Sequence, residues 1–139
     1  MAGFELLEHT ADIGLRAHGA TLEEVFEQAT LALAEVLGVS RPEGGEDAGE
    51  EVSLEVAAED LGGLLVDWLN EVLYLHEVRA AAVAGVRVDT VADHRAAGAL
   101  TLGPGTAPEE GTVVKAATYH RLRVKRVAGG FLAEVYLDV

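Results

Sequence analysis

The residues best suited to chemistry sit far apart in this sequence. Tyr136-Leu137-Asp138-Val139 closes it. This strand-like run carries Asp138 beside the α-carboxylate of Val139, so two anionic groups stand one residue apart. Chain ends ordinarily fray, but sheet pairing would hold this one rigid. Near the start, Glu8-His9-Thr10-Ala11-Asp12-Ile13-Gly14 sets a further carboxylate, Asp12, in a polar break between apolar stretches. If the two ends meet, Asp12, Asp138 and the Val139 oxygens form an all-oxygen cluster. Such a donor set suits a hard cation, Ca²⁺, Mg²⁺ or Mn²⁺, over Zn²⁺.

Each of these residues also has a plainer use. Asp12 fits a turn closed through its neighbouring amides. Asp138 fits a cross-strand pair with Arg121, which at an exposed position is worth about 0–1 kcal/mol. His9, three residues before Asp12, and His120 are the remaining candidate ligands. Coordination by either would tilt the preference toward Mn²⁺ or Zn²⁺. A lone histidine near an apolar face is more often a hydrogen-bonded core residue than a ligand. His18, His76 and His94 have no partner by spacing.

Other chemistries are excluded or unsupported. The chain has no cysteine, which removes disulfides and thiolate zinc sites. No glycine loop leads into Lys-Ser/Thr, so no phosphate cradle is present. The serines, Ser40 and Ser53, lack a nucleophile-elbow setting. A formal net charge of −14 argues against gripping nucleic acid by bulk electrostatics. It fits bound cations, a basic protein partner, or solubility alone. No signal peptide or membrane-spanning run is evident, so a soluble cytoplasmic protein is expected.

The elements that must position these residues can be read from periodicity. The 139 residues are half hydrophobic, enough for one domain, 1–139, with its own core. Phe4 to Glu8 and Leu15 to Gly19 read as strands. Thr21 and Glu24 have capping-box spacing. Leu22, Val25, Phe26, Ala29, Leu33, Val36 and Leu37 then make one apolar helix face, ended by Gly38. Arg41 to Gly49 reads as a loop. Glu51 to Ala57 alternates as a half-buried strand. A second helix is expected over Glu59 to His76, mostly covered, with Asp67, Asn70, Glu71 and Tyr74 as one narrow polar stripe.

Ala80 to Leu102 suggests a hairpin or meander, and Gly103 to Gly111 an exposed loop. Thr112 to Val127 and Phe131 to Val139 are the best-defined strands, joined by Gly129-Gly130 as a two-residue turn. That turn would set Val124 opposite Val135, Leu122 opposite Leu137 and His120 opposite Val139. On the other face Lys125 would meet Glu134, Arg123 meet Tyr136, and Arg121 meet Asp138. Lys115, Arg121, Arg123, Lys125 and Arg126 put half of the ten basic residues on one strand. They read either as cross-strand ion pairing or as a docking or phosphate-contacting strip.

Four stretches in this order resemble the archease family. They are Phe4 to Gly14, Leu64 to Tyr74 (LLVDWLNEVLY), Val114 to His120 (VKAATYH) and Val135 to Val139. The resemblance implies an α+β fold of two layers, with two main helices packed on a mixed, mostly antiparallel sheet. It implies a cytoplasmic accessory protein rather than an enzyme. Such a protein assists an RtcB-type RNA ligase in tRNA splicing and RNA repair, by promoting ligase guanylylation and multiple turnover. RNA and GTP would be met through the ligase. The resemblance also implies a divalent metal, Ca²⁺, held at Asp12, Asp138 and Val139, and a functional lysine at Lys115. The Ala80 to Gly111 stretch departs from typical members. Two rivals stay open: a metal-dependent phosphohydrolase using Asp12, Asp138 and His120, and a chaperone-like binding module with a structural ion.

Overall fold

Among the described residues, alternation and capping give seven strands and two helices, in the order β1 (Gly3–Glu8), β2 (Asp12–Gly19), α1 (Leu22–Leu37), β3 (Glu50–Ala57), α2 (Leu61–Arg79), β4 (Val83–Val91), β5 (Arg95–Leu102), β6 (Ala116–Val127) and β7 (Gly130–Asp138). The structure is a computed structural model that describes residues 2–8, 12–38, 49–103 and 112–139. His9 lies outside the described residues, as do nearly all of the expected loops over Arg41 to Gly49 and Gly103 to Gly111.

The α+β class and the two helices are as expected. The strands divide between two antiparallel sheets, ordered β1-β2-β7-β6 and β3-β5-β4. Helix α1 packs on β1, β2 and β7 of the first sheet and on β4 of the second; α2 packs on β6 and on β3 and β5. Each helix therefore ties the two sheets together. Among the described residues no helix is long and apolar enough to cross a membrane.

Local chemistry explains the helix ends. The Thr21 hydroxyl accepts the Glu24 amide at 3.1 Å, and the Glu24 carboxylate reaches back to the Ala20 amide at 2.8 Å. An orphan donor of the first turn is thereby satisfied, and so is the amide just before the cap. Gly38 ends α1 with φ 83°. Helix α2 starts two residues later than expected because the Asp60 carboxylate is its N-cap, accepting the Gly63 amide at 2.7 Å.

The core joins the inner faces of both sheets to both helices. Leu15, Val135 and Leu137 meet Val25, Phe26, Leu33, Leu64, Leu65 and Leu69, all buried. At the helix crossing, Trp68 packs edge-on against Phe26, with ring centroids 6.2 Å apart. Its indole N–H donates to Thr30 Oγ1 at 2.9 Å, and the Thr30 hydroxyl donates to the Phe26 carbonyl at 2.7 Å. A buried threonine is thus satisfied while it joins the helices.

Two outer strands have backbone groups occupied by side chains. Glu27 and Glu23 of α1 accept the Val88 and Val91 amides of β4, at 2.9 and 3.0 Å. Asn70 of α2 does the same for β6, described below. In the second sheet a register shift between Val88 and Thr90 brings the β4 backbone over Gly98. A Cβ at Gly98 would stand 2.0 Å from the Arg87 carbonyl oxygen. Gly98→Ala must push the strands apart, so a loss of about 1–3 kcal/mol is expected in chemical denaturation. A midpoint equal to the parent's would refute that close approach.

Candidate metal centre

The centre is built by the pairing of β2 with β7. The register sets Asp12 opposite Asp138, Ile13 opposite Leu137 and Gly14 opposite Tyr136. Side chains alternate across a strand. Ile13 and Leu137 therefore turn to the core, and Asp12 and Asp138 share the outer face. Asp12 begins β2 and Asp138 ends β7, so both lie at the same end of the sheet. Directly opposed residues have Cβ atoms about 4.5–5.5 Å apart, close enough for both carboxylates to reach one ion.

The rest of that face follows a different rule. One row runs Glu5, Arg16, Glu134, Arg123 across all four strands, alternating in sign. Arg16 lies 3.8 Å from Glu5 and 3.2 Å from Glu134, and Arg123 lies 3.6 Å from Glu134. Where charge serves the sheet, it alternates. Asp12 and Asp138 oppose like with like, which destabilises a strand pair. Among the described residues neither carboxylate has an ion-pair partner, and no third carboxylate or imidazole side chain joins them. Asp12 is the first residue of β2.

Lys115 lies on the other flank of Asp138. Its amide donates to the Asp138 carbonyl at 2.8 Å, and the next residue, Ala116, pairs with Asp138. The Lys115 side chain is exposed. Val139, also exposed, follows directly. The structure therefore brings Asp12, Asp138, Val139 and Lys115 to one corner.

His120 and Arg121 do not take the positions expected from the hairpin turn. The turn is Ala128-Gly129, with Val127 pairing with Gly130. Only Gly129 of the glycine pair adopts a positive φ, 81°. The register near the turn is shifted by two from that expectation, which keeps the faces: Val124 meets Ala133 and Arg123 meets Glu134. Beyond it, Tyr119 to Leu122 bulge opposite Val135 alone, and Arg121 takes φ 54°. Thr118 then pairs with Tyr136, so neither His120 with Val139 nor Arg121 with Asp138 is a cross-strand pair. The His120 ring meets Tyr136 edge-on with centroids 6.1 Å apart, and the Arg121 guanidinium lies 5.9 Å from the same ring centroid.

Tyr136 is nearly buried although it lies on the outer face, two residues from Asp138. Gly14 makes room for it. A Cβ at Gly14 would stand 2.8 Å from Tyr136 Cε2. The glycine after Asp12-Ile13 thus serves a close approach of ring to strand beside the carboxylates. Sequence reasoning assigned no role to Gly14, Tyr136 or Asn70. The sequence pattern began this strand only at Leu15, whereas β2 begins at Asp12, so Gly14 lies within it, where a glycine marks a close approach.

The donor set fits a hard cation. Ca²⁺ takes 6–8 oxygens. Two aspartates and the oxygens of Val139 would supply only part of that shell, which would leave positions for solvent or for oxygens of a ligand.

Comparison with known proteins agrees with this architecture. The profile of the Archease protein family (MTH1598/TM1083) matches residues 4–139. The protein archease of Methanosarcina mazei is 39% identical over 142 residues, covering 98% of this chain and 95% of its own. That of Methanothermobacter thermautotrophicus is 36% identical, with both chains covered completely. The solution structure of Methanobacterium thermoautotrophicum protein 1598 superposes with TM-score 0.73 at 34% identity, covering 99% of each chain. A Thermotoga maritima crystal structure, described as an archease and possible chaperone, gives TM-score 0.69 at 25% identity over 97% of this chain and 96% of its own. Matched along nearly its whole length in both sequence and fold, this chain belongs to the archease family.

Proposed function

We propose that this protein is a metal-binding accessory factor, not itself an enzyme. It activates an RtcB-type RNA ligase, promoting ligase guanylylation and multiple turnover in tRNA splicing and RNA repair. One observation carries the reading: Asp12 opposes Asp138 across two paired strands, and among the described residues neither carboxylate has an ion-pair partner. Ca²⁺ is the expected ion, with Mg²⁺ or Mn²⁺ as alternatives, and Val139 is the expected third source of oxygens. A divalent ion bound there supplies fixed positive charge that polarises and orients phosphoryl oxygens. Asp12 and Asp138 hold it on strands that cannot swing away. Lys115 presents a second positive charge on the same corner, for nucleotide phosphate or for acidic ligase residues. GTP and RNA are met through the ligase.

Reconstitution tests this reading. Purified ligase given limiting GTP and broken RNA should turn over faster when this chain is added. Asp138→Ala should remove the gain. A wild-type chain that leaves ligase turnover unchanged overturns the proposal. The Thermotoga relative's description as a possible chaperone supports a second reading, a binding module with a structural ion. Stimulation that survives loss of both carboxylates favours that one. Hydrolysis of nucleotide by the isolated chain with metal would favour a phosphohydrolase.

A further inference from the structure

The polar stripe on α2 contains a residue that bonds the strand flanking the Asp12–Asp138 corner. Asn70 is half-buried, and its side chain makes two hydrogen bonds to a single backbone unit. Its Oδ1 accepts the Ala117 amide at 2.7 Å, and its Nδ2 donates to the Ala117 carbonyl at 3.1 Å. A primary amide has one acceptor and one donor side at the spacing of a peptide unit. It thus does for β6 what a neighbouring strand would do.

The place of this clamp matters. The β6 bulge leaves only Ala116, Ala117 and Thr118 paired with the end of β7, opposite Asp138, Leu137 and Tyr136. That short ladder, with the Lys115 amide bond to Asp138, forms one flank of the carboxylate pair. Asn70 grips the middle of it from the outer side. Its own helix is anchored by Trp68, Leu69, Val72 and Leu73, all buried. The clamp therefore refers the corner to the core rather than to solvent.

We infer that Asn70 is a positioning residue for the Asp12–Asp138 centre, holding the Lys115–Thr118 flank so that the centre binds its cation tightly. The inference rests on the proposed cation site. Groups that orient ligands without touching the ion commonly contribute about 10–100-fold to affinity.

Calorimetric titration of the full chain with Ca²⁺ tests it. Asn70→Ala should bind about 10-fold more weakly or worse. Thr30→Val removes two buried hydrogen bonds at the helix crossing, neither of them to the β6 flank. It should lower the melting temperature and leave Ca²⁺ affinity unchanged, separating positioning from general stability. Asn70→Asp keeps an acceptor for the Ala117 amide and sets an oxygen against the Ala117 carbonyl. Its added negative charge alone would favour a cation, so weakened binding there also supports the clamp. Exchange of the Ala117 amide should speed up in both Asn70 variants. Wild-type affinity in a folded Asn70 variant overturns the inference and leaves the cation site standing. A wild-type chain that binds no Ca²⁺ overturns the site, and the inference with it.

Discussion

Asp138→Asn should abolish the Ca²⁺ response of this protein while leaving the ion-free chain at least as stable as the parent. The two signs follow from one geometry. Without an ion, Asp12 and Asp138 repel across the β2–β7 pair, and like charges so placed destabilise it. Removing one charge relieves that. With an ion at a hundred times its dissociation constant, the folded parent gains about 2.7 kcal/mol. For a chain of this length that corresponds to roughly 10 °C in melting temperature. The amide of the variant keeps one neutral oxygen where a carboxylate stood, so the gain should vanish.

Asp12→Asn should behave alike. Melting curves with chelator and with millimolar Ca²⁺ measure both effects at once. A variant that keeps the Ca²⁺ shift would contradict the site. An ion-free variant clearly less stable than the parent would mean that the carboxylates have a structural partner instead.

The second large effect concerns the core. Trp68→Ala should cost about 3–5 kcal/mol, the range for truncating a buried aromatic. Three losses combine: the indole volume, fully buried; the edge contact with Phe26; and the bond to Thr30 Oγ1. Trp68→Phe retains much of the volume and loses the N–H, so a smaller decrease is expected. Urea titrations would give both values, with slopes unchanged if the denatured state is unaffected. A cost under about 1 kcal/mol for Trp68→Ala would mean that the helices collapse onto the gap.

Much of this fold was legible because its signals are local. Thr21, Glu24 and Gly38 bound the first helix by chemistry contained in one turn at each end. Val52, Leu54 and Val56 mark β3 by alternation alone. The corner itself was legible in part: carboxylates near both ends of a strand-rich chain suggested a meeting, though the β2–β7 register that opposes them is a long-range property.

The hairpin of β6 and β7 was misread for two separate reasons. Two adjacent glycines offered two turn positions, and the chain used Ala128-Gly129. That error moved partners by an even number and left faces intact. The bulge at Tyr119 to Leu122 moved them by an odd number and reversed them. Nothing in Tyr-His-Arg-Leu announces it, since its left-handed residue is Arg121 rather than glycine. Asn70 was seen only as part of a polar stripe, because its partner is 47 residues away. Which sheet each strand joins was likewise invisible to periodicity, which reports the face of a strand and not its neighbour.

The side chains that Asn70, Glu23 and Glu27 lay along β6 and β4 bear on how the borders of the two sheets would meet a foreign strand. A foreign strand arriving at either border would have to displace bonds already made within the molecule. Fibre-like growth would therefore have to start from β1 or β3, the borders at the opposite ends of the two sheets.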